Sequence, residues 1–148
     1  MSSPLAYQTP TLAVSSRALS DLDAALLVIP VFESDDDLGD LAGLDVASGG
    51  EIGRARARGE VKGRAFELFA TPLSGWAARR AVLVGVGPRA QCSSEHLRRA
   101  ATAGCLAARQ YRLTRAVVVA RRVEHVSLEQ SLQAVAEGSV LANFEGGS

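Results

Sequence analysis

The residues with the most chemical promise are glycines. Gly85-Val86-Gly87-Pro88-Arg89-Ala90 follows an apolar run and precedes a predicted helix, with the loose G-x-G-x-x-[GA] spacing of a dinucleotide-binding turn. In such a turn the backbone N–H groups at a helix start receive a pyrophosphate. Pro88 removes one of those donors. No acid follows about twenty residues later to hold a ribose, and the preceding strand is not the first in the chain. A second glycine-rich stretch, LDVASGGEIGRARARGEVKGRAFEL at 44–68, sets Gly49-Gly50 and a Gly59-Glu60-Val61-Lys62-Gly63 knot among five basic residues. It reads as a phosphate-cradling loop, a nucleic-acid patch or a structural joint, and the joint is favoured because glycines relieve backbone at helix ends. Gly49, Gly50, Gly85 and Gly87 are therefore the candidate ligand-loop residues.

Other reactive residue types are sparser. Cys92 and His96 lie four apart and would share a helix face, but a zinc site wants three or four ligands. No orienting group or oxyanion site stands near them, so a buried structural cysteine is expected. Asp35-Asp36-Asp37 lacks the alternation and late bidentate Glu of a calcium loop. It reads as a solvated loop in which Asp36 or Asp37 caps a helix. Arg79-Arg80, Arg98-Arg99 and Arg121-Arg122 stand at element ends, but aromatics are only 5% of the chain, too few for a base-stacking platform. Neither a Gly-x-Ser-x-Gly nor a His-Glu-x-x-His pattern occurs. The residues support no catalytic or metal-binding assignment.

The elements that must position these residues come from apolar runs. Ala24 to Phe32, Ala81 to Val86 and Ala116 to Ala120 are nearly continuous apolar stretches, which suits strands covered on both faces. Pro30 within the first predicts a bulge or strand end. Thr11 to Arg17 and Phe66 to Thr71 read as further strands, Asp21 and Asp23 as a turn, and Pro72 to Gly75 as another. Leu38, Leu41 and Leu44 recur at helical spacing, and Ile52 to Arg58 reads as a second short helix. Ser93 or Ser94 caps a helix carrying Leu97, Ala101, Gly104, Leu106 and Ala108. Ser127 opens another through a capping box with Gln130, its apolar face formed by Leu128, Leu132, Val135, Ala136 and Val140. Strands interleaved with helices argue for a three-layer α/β domain with a mixed, largely parallel sheet.

The 148 residues fit one domain. The net charge of zero conceals an asymmetry: residues 1–53 carry nine acids and one base, and fifteen of the sixteen bases are Arg. The basic half suggests nucleic acid or, as the favoured reading, two halves that neutralise each other on folding. No apolar run is long enough to span a bilayer, and no secretory signal opens the chain. Two cysteines make no disulfide framework. A cytoplasmic, reduced protein is expected.

Four motifs in register then point to a family. Leu44-Asp45, Ala47, Gly49-Gly50, Ile52 and Arg54-Ala55, followed by Gly59-Glu60-Val61-Lys62-Gly63-Arg64, resemble the N-terminal domain of the leucyl (cytosol) aminopeptidase family. Val82 to Gly87 is similar to that family's V-L-L-V-G-L-G strand, Arg98-Arg99-Ala100-Ala101 to its R-R-A-A helix, and Ala134 to Ala142 to its A-x-A-E-G-x-x-L-A helix. Val61 replaces the usual Phe, Ala65-Phe66 stands where Gly or Ala then Glu is common, and the ending Asn143-Phe144-Glu145-Gly146-Gly147 departs from the family's Tyr-containing segment.

The resemblance implies a macrodomain-like α/β fold over residues 1–144, with 145–148 as a linker-like tail. It implies that catalysis belongs to a following C-terminal domain, absent here, which holds two divalent metal ions (zinc or manganese). This chain is then expected to be a noncatalytic accessory domain without a cofactor of its own. Its expected partners are that catalytic domain and neighbouring subunits of a hexamer, with no membrane; nucleic acid is the less favoured partner. Two other readings stay open: a stand-alone module for ADP-ribose or another nucleotide, and an Arg-mediated nucleic-acid contact domain.

Overall fold

The computed structural model describes residues 19–21, 25–33, 43–113, 116–119, 121, 123, 126–127 and 129–137. Four strands form one sheet: β1 (Leu26–Val31), β2 (Leu68–Pro72), β3 (Arg80–Gly85) and β4 (Ala116–Val118), in the order β2-β3-β1-β4. β1 pairs in parallel with β3 and with β4, while β2 runs antiparallel to β3. The fold is thus mixed α/β around a mostly parallel sheet. The three apolar runs became the three mutually parallel strands β3, β1 and β4, as buried parallel strands require. Their ends differ slightly from expectation: β1, β3 and β4 stop at Val31, Gly85 and Val118.

Alternation sends the two sides of each strand into separate cores. Leu27, Ile29, Val31, Leu83 and Val117 face the short helices α1 (Leu44–Ala47) and α2 (Glu51–Ala57), which contribute Leu44, Ala47, Ile52 and Ala55. Leu26, Val28, Val82 and Val84 face α3 (Ser94–Gln110), through Leu97, Ala100 and Ala108. Helices on both faces make the three layers. The approach of α3 is close because position 104 is glycine: a Cβ there would lie 2.2 Å from a methyl of Val28.

Pro30 neither bulges the strand nor ends it. The register with β3 runs unbroken from Leu26↔Arg80 to Val31↔Gly85. The reason is directional. In a strand, the N–H and C=O of one residue point to the same side, and residues two apart share that side. The Val28 carbonyl accepts from Val119 N–H at 2.8 Å, so Pro30 also faces the β4 side, beyond the end of that ladder. Its missing donor costs the β1–β3 ladder no bond, and its carbonyl accepts from Arg121 Nη1 at 3.1 Å.

Helix starts follow their caps. Ser93 and His96 form the capping box of α3, with Ser93 as N-cap and His96 Nδ1 accepting the Ser93 amide at 3.1 Å. The expected box at Ser127 is present: Ser127 N–H donates to Gln130 Oε1 at 2.9 Å, and Gln130 N–H donates to Ser127 Oγ at 3.1 Å. Residues 129–137 are helical, and they bury Ser131 and Ala134 whereas Ala136 is exposed. The face is therefore rotated from the one expected, toward the side where Arg98 of α3 meets Glu137 at 2.8 Å. Leu128 and Val140 lie outside the described residues. So do the Thr11–Arg17 strand, Asp23, and the Asp36 or Asp37 cap with Leu38 and Leu41. The described helix begins afresh at Leu44, with Gly43 in the left-handed region at its N-cap position.

Candidate functional site

The glycine candidates occupy two places. Gly49 and Gly50, both at positive φ, make the corner between α1 and α2. Their amides donate to Val46 and Asp45 carbonyls, each at 2.9 Å. The amides at the start of α2 are capped from the preceding turn. Ile52 N–H reaches Ser48 Oγ at 3.2 Å and Gly53 N–H reaches Asp45 Oδ1 at 2.8 Å. The acidic cap also suits the helix dipole.

Gly85 and Gly87 stand at the carboxyl end of β3. Here the chain leaves β1 toward α1 and α2 on one face and leaves β3 toward α3 on the other. Two adjacent parallel strands whose exits diverge form the crevice where open α/β sheets take ligands. In this chain the knot itself fills that crevice. Gly87 N–H donates to the Gly63 carbonyl at 2.9 Å, and Gly85 N–H donates to the Glu67 carbonyl at 2.7 Å. Val86 N–H donates to Val31 across the sheet at 3.0 Å, and Glu33 N–H to the Gly87 carbonyl at 3.1 Å. The amides a pyrophosphate would need are engaged by the protein's own carbonyls. The glycines are there for proximity: a Cβ at Gly85 would lie 1.8 Å from the Arg64 carbonyl oxygen, and one at Gly63 would lie 2.3 Å from that of Phe32. Glu67 pins the knot from below, its Oε1 accepting from the amides of Lys62 at 2.6 Å and Gly63 at 2.8 Å.

Beside this plug, on the α2 side of β1, a cleft of about 600 Å³ remains open. Phe32 and Glu33 from the end of β1, Gly53 and Arg56 from α2, and Lys62 to Arg64 from the knot line it. Of the five bases in the 44–68 stretch, three come to one cleft, which the sequence shows only as a basic run. Two more guanidiniums flank the strand end. Arg89 and Arg121 stack over the Phe32 ring, 4.2 and 5.0 Å from its centre. Arg121 is only 4% exposed. The Phe32 ring and the Pro30 carbonyl offset the loss of hydration of its charge.

The remaining candidates serve the fold. Cys92 lies outside α3, before its N-cap, so the helical spacing to His96 does not apply. It is buried and in no disulfide, and burial pushes its thiol up, partly countered by the Arg89 charge. His96 Nδ1 is held by Ser93, which leaves the ring proton on Nε2. Arg98 and Arg99 both pair with Glu95. Arg80 stacks on Tyr111, its guanidinium carbon 4.8 Å from the ring centre. Arg122 is outside the described residues. Among the described residues no group of three or more His, Cys, Asp or Glu is placed to hold a metal ion. Among them, too, no helix is long and apolar enough to cross a membrane.

Comparison with known proteins agrees with the fold. A mutant of tomato leucine aminopeptidase superposes with a TM-score of 0.73 at 23% identity, over 90% of this chain and 28% of that one. At that identity the likeness is one of fold, and this chain spans about 28% of the length of the enzyme it matches. No curated protein matches in sequence. The sequence model of the N-terminal domain of the cytosol aminopeptidase family matches residues 28–147. The chain therefore belongs to the cytosol aminopeptidase family, through its N-terminal domain.

Proposed function

We propose that this chain is the noncatalytic N-terminal accessory domain of a metal-dependent leucyl aminopeptidase, a protein that releases N-terminal residues from peptides in the cytoplasm. The observation that carries the reading is the family match over residues 28–147. The fold likeness supports it, because it covers nearly all of this chain and only a minor part of the tomato enzyme. In this reading the catalytic metal ions are held by the remainder of such an enzyme.

The surface supplies a place for that remainder. Phe66 and Leu68 are 58% and 51% exposed. Leu68, Ala70 and Pro72 are exposed on the α3-facing side of the edge strand β2, and Phe66, just before the strand, has only Arg99 of α3 over its ring, 5.7 Å from the centre. Exposed apolar residues along a strand edge that is unpaired among the described residues mark an interaction surface. Its proposed occupant is the catalytic part of the same polypeptide or a neighbouring subunit of the oligomer.

The purified chain, supplied with manganese or zinc, is expected to leave a leucyl amide unhydrolysed. An antibody to it is expected to detect a polypeptide several times larger in source cells. Metal-dependent turnover that copurifies with the chain would overturn the noncatalytic role. A native band no larger than the chain itself would overturn the accessory role.

A further inference from the structure

We infer that the open cleft beside β1 binds a small phosphate-bearing anion, through side chains rather than backbone. The inference stands on the cleft and not on the accessory role. Its place is the first argument. The cleft opens beside the carboxyl end of β1, between α2 and residues 61–64 of the knot that plugs the crevice proper, so it is a concave surface next to the sheet's exit end. Its volume of about 600 Å³ suits a small molecule.

Charge is the second argument. Arg56, Lys62 and Arg64 line the cleft, and Glu33 is the one carboxylate among its described lining residues. Lys62 and Arg64 have no hydrogen-bond or ion-pair partner for their side-chain nitrogens among the described residues. A concave surface lined by one sign of charge concentrates counter-ions. Ammonium and guanidinium groups make their strongest hydrogen bonds to oxyanions such as phosphate.

The class of ligand is narrowed by what the cleft cannot do. The neighbouring amides of Lys62 and Gly63 are held by Glu67, so recognition falls to flexible cationic side chains. The Phe32 ring is 2% exposed beneath Arg89 and Arg121, so among the described residues no aromatic face is offered to a base. The site therefore fits a compact phosphate ester or polyphosphate, with no recognition of a nucleobase.

The test is an amide-resolved NMR titration of the full chain with inorganic pyrophosphate, at fixed ionic strength. Saturable shifts are expected at Gly53, Lys62 and Gly63. Lys62→Ala with Arg64→Ala is expected to weaken binding at least tenfold, while Arg79→Ala, an exposed arginine elsewhere, leaves it within twofold. Both altered side chains are exposed, and Lys62→Gln provides a second, milder variant should the pair disturb folding. Absence of saturation, an undiminished affinity in both Lys62 variants, or preference for citrate over pyrophosphate would each overturn the proposal. So would binding that appears only after Asp35, Asp36 and Asp37 are changed to Asn, since the cations would then serve the chain's own acidic run.

Discussion

Gly85→Ala isolates the close approach on which the plugged crevice depends. Gly85 is not at positive φ, so alanine suits its backbone and only crowding opposes it. The new methyl would lie 1.8 Å from the Arg64 carbonyl oxygen and 2.7 Å from its carbon, well inside the 3.0 Å limit of real Cβ contacts. These are backbone atoms, so no side-chain rotation relieves the overlap. The knot must lift away from β3, which weakens the bonds joining Gly85 to Glu67, Phe66 to Gly85 and Gly87 to Gly63. Overpacking costs about 1–3 kcal/mol and each hydrogen bond about 1 kcal/mol, so a loss of about 4 kcal/mol is expected. For a chain of this size that lowers Tm by about 12 °C, and with a urea m-value of about 2 kcal/mol/M it lowers the midpoint by about 2 M. Gly75→Ala is the control. It lies at φ +81° with nothing within 4 Å, so it bears only left-handed strain, about 1–2 kcal/mol. If urea unfolding shows Gly85→Ala losing no more than Gly75→Ala, the close-approach reasoning is refuted.

Three further perturbations test other parts of the structure. Gly104→Ala drives a methyl into Val28 and is expected to cost about 1–3 kcal/mol; adding Val28→Ala should recover at least about 1 kcal/mol as coupling in a double-mutant cycle. Ser127→Ala removes one half of a capping box and should cost about 1 kcal/mol in thermal unfolding, with Gln130→Ala costing less when Ser127 is already gone. The Cys92 thiol is raised by burial, so its neutral form favours the folded state. That stabilisation is complete below the unfolded thiol value of about 8.5 and is lost as pH rises through the higher folded value. Tm should therefore fall more steeply on the alkaline side in the parent chain than in Cys92→Ala.

The strands and caps were legible because their signals are local. A run such as Ala81 to Val86 has only one way to hide both faces, and Ser127 lies one turn from Gln130. The crevice was not legible, because its cause is a meeting of distant residues. Nothing in Gly85-Val86-Gly87 announces that Gly63 and Arg64 will lie against it; the same spacing would serve an open phosphate turn. Pro30 misled for a related reason: its effect depends on which neighbour it faces and where that neighbour stops. The cleft was half visible. The bases from Arg54 to Arg64 stood out, but helix rotation decides that Arg56 turns inward to the cleft and that Arg54 instead pairs with Glu51.

The node that ties Glu33, Gly63 and Gly87 together also sets an order of events in folding. Its points are far apart along the chain, and none can close on another until β1 and β3 are side by side. The entropy of closing those long loops is lost before the node returns any bonds. The 59–67 segment is thus among the last pieces to lock, arriving over a sheet already in register. Once it has locked, the Gly87 and Glu33 amide protons are shielded as one unit with the strands. Their exchange is expected to follow opening of the knot and the strand ends it joins.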